Sequence, residues 1–124
     1  MSTLGALVLA VLMAGSGLAH FVLPVYFRTL VPSWLPAPAA LVAASGLANL
    51  VAGGLLVVPG SRAAGGWLAA VLIGGYLTSH IDAVRQAHPS RARFLDRPGG
   101  VLARLVVNVA YLAWAVVVAV GAAG

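Results

Sequence analysis

His20, Arg28, Asn49, His80 and Asn108 are the side chains of this chain with chemistry to offer, set in a sequence that is otherwise almost all Ala, Val, Leu and Gly. An ionisable group at membrane depth is costly and by default marks a functional site. His20 and His80 each end an apolar run, and Asn108 stands about two turns into the last one. Asn49 lies about 15 Å into the second run, near its middle. Arg28, in VYFRTLVP, can turn inward to an anion or outward to a lipid phosphate. If the runs form one bundle, these five residues line a single pocket open to one side. The chemistry expected there is ligand binding and not catalysis, because no nucleophile–base pair is visible.

A plainer reading stands beside each of these. The two histidines can be interfacial groups solvated by lipid headgroups. The two asparagines can be interhelical hydrogen-bonding residues worth about 1 kcal/mol each. Tyr26, Trp34 and Phe94 suit interfacial anchors. In HIDAVRQAH, Asp82 and Arg85 have the spacing of an ion pair along one helix face. His80 and Asp82 would be turned about 200° from each other, which is poor geometry for a shared metal. No catalytic residue, no metal and no cofactor is therefore expected. With no cysteine in the chain, dithiol chemistry and thiolate ligation are excluded.

The elements that must position these residues are transmembrane helices. Of 124 residues, 62% are hydrophobic and only 7% charged, and the mean hydropathy is +1.06. Such a chain lacks the charge needed to cover a water-exposed surface. Four apolar segments, about 4–23, 39–58, 63–81 and 101–122, each approach the ~20 residues that cross a bilayer as a helix. The expected fold is all-α, one domain over 1–124, a transmembrane four-helix bundle with a re-entrant-like Pro-rich loop. The first segment has the apolar character of a secretory signal, but MST carries no positive charge and the run is long, so retention is expected.

All seven basic residues are arginine, against two aspartates. Six of them, Arg28, Arg85, Arg91, Arg93, Arg97 and Arg104, fall on one side, and Arg62 in the PGSR turn falls on the other. The positive-inside rule then puts the Pro-rich loop and the loop 82–100 in the cytoplasm. The same charge favours anionic headgroups of the bilayer as partners, and not nucleic acid. Gly46, Gly53, Gly54, Gly74 and Gly75, with Ala48 and Ala52, would let helix backbones approach. His20 and His80, Trp34 and Phe94, and Pro38 and Pro98 recur 60 residues apart, and Asn49 and Asn108 59 apart, a spacing that suits two repeated helix pairs.

The stretch GLAHFVLPVYFRTLVPSWLPAP, continued by Gly46, Leu56, Pro59 and Arg62 and by DRPGGVLARLVVNVAYLAWA, resembles the DoxX-like family of small four-helix membrane proteins. The resemblance runs from Gly17 to Trp114. It implies a multi-pass protein of a cell membrane, the bacterial plasma membrane, associated with redox or defence complexes. Two family features differ: Asn49 stands where relatives often carry a carboxylate, and TSHI replaces a Pro-Ala-Asn-like element. Small four-helix drug exporters need a carboxylate on the first helix, and this chain has none there.

Two functions fit these observations. The first is a non-enzymatic accessory subunit that docks with another membrane protein, or with a second copy, in a redox or envelope complex. The alternative is a binding or transport module for a small amphiphile such as a quinone or lipid, built from His20, Arg28, Asn49, His80 and Asn108.

Overall fold

The computed structural model describes residues 3–123. Five α-helices follow one another: α1 (Thr3–Val22), α2 (Pro24–Leu30), α3 (Pro38–Val57), α4 (Arg62–Gln86) and α5 (Pro98–Ala123), with 3₁₀ turns at Pro59–Ser61 and Phe94–Asp96. Four of them, α1, α3, α4 and α5, are long and apolar enough to cross a membrane. The protein is thus an all-α, four-span bundle of the multi-pass membrane type.

Prolines set most of the boundaries. Pro24 has no N–H and disfavours helical geometry at Leu23, which takes φ −122° and ψ 53°. The chain bends there and restarts at once, with Pro24 in the first turn of α2, where its missing donor costs nothing. The Pro-rich stretch is therefore a short helix and a turn, not an unstructured loop. Pro38 and Pro98 open α3 and α5 in the same way, so α5 starts three residues before its apolar run. The helix of the third span also outruns its apolar segment, continuing through Gln86. His80 accordingly lies inside α4 and does not end it. Among the described residues Ala37 is the only non-glycine with positive φ, at 50°.

Packing relies on glycines at helix crossings. A Cβ on Gly17 would sit 2.8 Å from the Gly46 carbonyl oxygen, and one on Gly46 would sit 2.7 Å from the His20 Cβ. Further along the same pair, Gly53 faces the Ala10 carbonyl at 3.1 Å. Gly65 brings α4 onto α3 at Leu56, and Gly66 brings α4 onto α5 at Ala119. Gly54, Gly74 and Gly75 touch nothing in this way, so only part of the expected small-residue face is used inside the chain. Leu9 and Met13 of α1, Leu56 of α3, Ile73 of α4 and Val118 of α5 fill the core between these crossings. Tyr111 of α5 reaches Met13 of α1, oxygen to sulfur 3.3 Å.

At the turn end, α3 and α4 are sewn together by the residues of PGSR. The Ser61 hydroxyl donates to the Leu55 carbonyl at 2.9 Å, and the Arg62 guanidinium donates to Leu56 and Val57 at 2.9 and 3.1 Å. These are carbonyls that a helix C-terminus leaves without partners. At the other end, the loop between α4 and α5 folds onto α2. Arg93 lies 5.2 Å from the Tyr26 ring centre and donates to the Thr29 hydroxyl at 3.3 Å. The Ser79 hydroxyl donates to the Leu30 carbonyl at 2.5 Å. The two arginine-bearing loops thus share one end of the bundle.

Two outcomes follow for thermal unfolding in detergent, read by circular dichroism. Gly17→Ala should cost roughly 1–3 kcal/mol, because the added methyl meets the backbone of Gly46 and Leu50 as well as the Leu50 side chain. Gly54→Ala should be neutral or stabilise by up to about 1 kcal/mol; equal losses in both would contradict the crossing described here. At Ala37, Asn tolerates the left-handed conformation and should raise the midpoint, whereas Val should lower it.

Candidate functional site

The bundle holds an apolar cavity of about 390 Å³ beside its arginine-rich end. Leu41 and Val42 of α3 form one wall, and Leu72, Gly75, Tyr76, Ser79 and His80 of α4 form the other. Phe27 and Leu30 of α2, with Val31 and Pro32 after it, cover the cavity from the loop side. Its polar wall groups are few, and His20, Tyr76 and His80 are the chief ones.

His20 is 4% exposed, so it is not an interfacial histidine in headgroup water, contrary to the plainer reading of its position. The glycine crossing explains the burial, since Gly46 lets the His20 backbone sit against α3. The ring stacks on Phe27 with centroids 4.0 Å apart and planes at 20°. Its Nδ1 lies 2.6 Å from the Ser16 carbonyl oxygen, which can only accept. Nδ1 therefore carries the proton, and in the neutral ring Nε2 keeps a lone pair. His80 also lines the cavity, half-buried, with no hydrogen-bond partner for its Nδ1 among the described residues.

Asn49 and Asn108 stand behind the cavity and both bond to α4. The Asn49 amide donates to the Tyr76 hydroxyl oxygen at 2.5 Å and to the Ser45 carbonyl at 2.9 Å. The Tyr76 hydroxyl is also hydrogen-bonded with the Ser45 side chain. The Asn49 Oδ1 is buried without a partner among the described residues. Asn108 donates to the Ile73 carbonyl at 3.2 Å. Both asparagines thus make the interhelical bonds their type suggests.

Arg28 is in a different place, a charged hollow of about 270 Å³. It shares that hollow with Thr29, Asp82, Arg91, Asp96 and Arg104. Leu30, Val31 and Ser79 line both hollows, so the two meet there. Asp82 does not pair with Arg85; its carboxylate accepts from Gln86, one turn on, at 2.8 Å. The ion pair found among the described residues is Arg104 with Asp96, at 3.4 Å.

The five residues picked out from the sequence are therefore sorted into three places: His20 and His80 in the apolar wall, Arg28 in the charged hollow, and the two asparagines behind. Tyr76, Arg91 and Arg104 were missed. Tyr76 had a usable signal, since it precedes His80 by four residues and so shares its helix face. Arg91 and Arg104 had none beyond their charge.

No curated protein and no solved structure matches this chain. Residues 9–119 match the family described as "Domain of unknown function (DUF8561)". The match takes in every span in whole or in greater part, together with all the residues of both hollows, and the chain belongs to that family.

Proposed function

We propose that this protein is a membrane-embedded binding module for a small amphiphile, such as a lipid or a quinone, without a catalytic step of its own. The observation that carries the proposal is the apolar cavity with His20, Tyr76 and His80 in its wall. Its volume falls in the ~300–1,000 Å³ range of small-molecule sites, which pair apolar lining with a few fixed polar groups. The polar groups are arranged for recognition. Phe27 and Ser16 orient His20, whose neutral ring keeps a lone pair on Nε2 for a guest, and Asn49 and Ser45 hold the Tyr76 ring in the wall. The DoxX-like resemblance supports a small module of a cell membrane, and the arginine excess supports a cytoplasmic side for the end that holds the cavity.

The accessory-subunit reading draws on a separate observation. Gly54 and Gly74 have nothing within 4 Å of where a Cβ would lie, which leaves stretches of α3 and α4 open to close approach by another helix.

Gly75 provides the test. It lines the cavity, and a Cβ there meets nothing within 4 Å, so Gly75→Leu adds a bulky side chain at the cavity wall without a clash at its first carbon. Native mass spectrometry of protein extracted gently from its own membrane should show a reproducible small-molecule adduct. The adduct should disappear in Gly75→Leu while the thermal midpoint holds or rises. A bare chain that arrives with another polypeptide would instead favour the accessory subunit.

A further inference from the structure

We infer that the amphiphile carries an oxyanion head, a phosphate or carboxylate, which Arg28 and Arg91 hold in the charged hollow while the tail occupies the apolar cavity. This inference rests on the binding reading above and adds the charge of the guest and its direction.

The juxtaposition of the two hollows is the first observation. One is apolar and the other charged, and they lie on either side of a shared wall of Leu30, Val31 and Ser79, in which the Ser79 hydroxyl donates to the Leu30 carbonyl. A guest that spans the junction must itself be apolar at one end and charged at the other.

The second observation is the state of the charges. Arg104 is engaged by Asp96 at 3.4 Å and by the Leu95 carbonyl at 3.2 Å. The Asp82 carboxylate accepts from Gln86. Among the described residues Arg28 has no acidic partner, only a long 3.4 Å bond from its Nε to the Pro24 carbonyl of its own helix. The Arg91 guanidinium has no hydrogen bond or ion pair with any described residue, although it lines the same hollow. Neighbouring arginines are used differently: Arg93 is spent on Tyr26 and Thr29, and Arg97 on the carbonyls of Arg91 and Ala92. Arg28 and Arg91 thus line this hollow without an ion pair to either of its two carboxylates, Asp96 being held by Arg104 and Asp82 bonded to the neutral Gln86 amide. Guanidinium forks suit the paired oxygens of phosphate or carboxylate. A neutral head would leave them unpaired.

The test uses the full chain in phosphatidylcholine nanodiscs, with guests detected as adducts by native mass spectrometry. Dodecyl phosphate, dodecanol and inorganic phosphate are the probes. Dodecyl phosphate should bind about tenfold or more tightly than dodecanol, as charge-assisted hydrogen bonds imply. Inorganic phosphate alone should bind far more weakly than dodecyl phosphate. The double variant Arg28→Gln/Arg91→Gln should lose the preference for dodecyl phosphate yet still take up dodecanol. Arg85→Gln, a charge at the same end but outside the hollow, should keep it. Neither arginine of the double variant has an acidic partner to lose, and an unchanged thermal midpoint will verify that it folds.

Equal binding of dodecyl phosphate and dodecanol would overturn the inference and leave the amphiphile reading in place. Inorganic phosphate binding as tightly as dodecyl phosphate would also overturn it, by revealing a free-anion site unconnected to the cavity. If neither tailed probe binds, or if Gly75→Leu binds both as well as the parent does, the amphiphile reading itself fails.

Discussion

The contact of Gly17 with Gly46 sets the distance between α1 and α3, and the rest of the site is built on that distance. In lipid there is no hydrophobic drive to bring two apolar helices together, so their association depends on how closely the backbones can fit. With hydrogens at these positions, α1 and α3 touch through backbone atoms, and His20 comes to rest with its Cβ against Gly46. A side chain at either glycine would push the helices apart and lift His20 out of the wall it shares with Phe27 and Tyr76. The histidine's burial is thus a result of a neighbour's lack of side chain.

The second helix pair is assembled by the same rule at Gly66 and Ala119, and the two pairs are joined at Gly65 and Leu56 near the PGSR turn. Capping by Ser61 and Arg62 tightens that junction. Toward the arginine-rich end, α3 and α4 are linked where Asn49 and Ser45 meet Tyr76, and beyond that their facing side chains leave space. A cavity survives there because the glycines of α4 at that level, Gly74 and Gly75, make no close helix contact of the kind Gly65 makes with Leu56. Gly75 lies in the same stretch and faces the space without filling it. The recurrence of His20 with His80 and Asn49 with Asn108 does not extend to their bonding partners. Each helix pair carries a histidine on its first long helix and an asparagine on its second, but both asparagines donate to α4.

Much of this architecture is legible in the sequence, because run length alone identifies a helix that must satisfy its backbone inside a bilayer. The ends are less so. Polar residues from His80 to Gln86 end the apolar run of α4 but not the helix, since a helix leaving the membrane keeps its hydrogen bonds in water. Pro98 begins α5 early for the reason prolines favour first turns. Gly17, Gly65 and Gly66 are indistinguishable in sequence from the idle Gly54 and Gly74, because contact depends on the partner helix. The site is legible in its parts and not in its grouping. His20 and Arg28 belong to one nineteen-residue stretch, HFVLPVYFRTLVPSWLPAP, yet they face different hollows. Arg91 and Arg104 join Arg28 only after the loop before α5 has folded back onto α2.

The position of the cavity along the bundle axis has a consequence of its own. The two faces of a biological membrane differ in lipid composition, and the space between α3 and α4 lies toward one end of the bundle, the end that carries the arginine-rich loops. On the binding reading, a guest that enters it from the bilayer comes from the leaflet at that end, so the fold alone would tie what is bound to one face of the membrane.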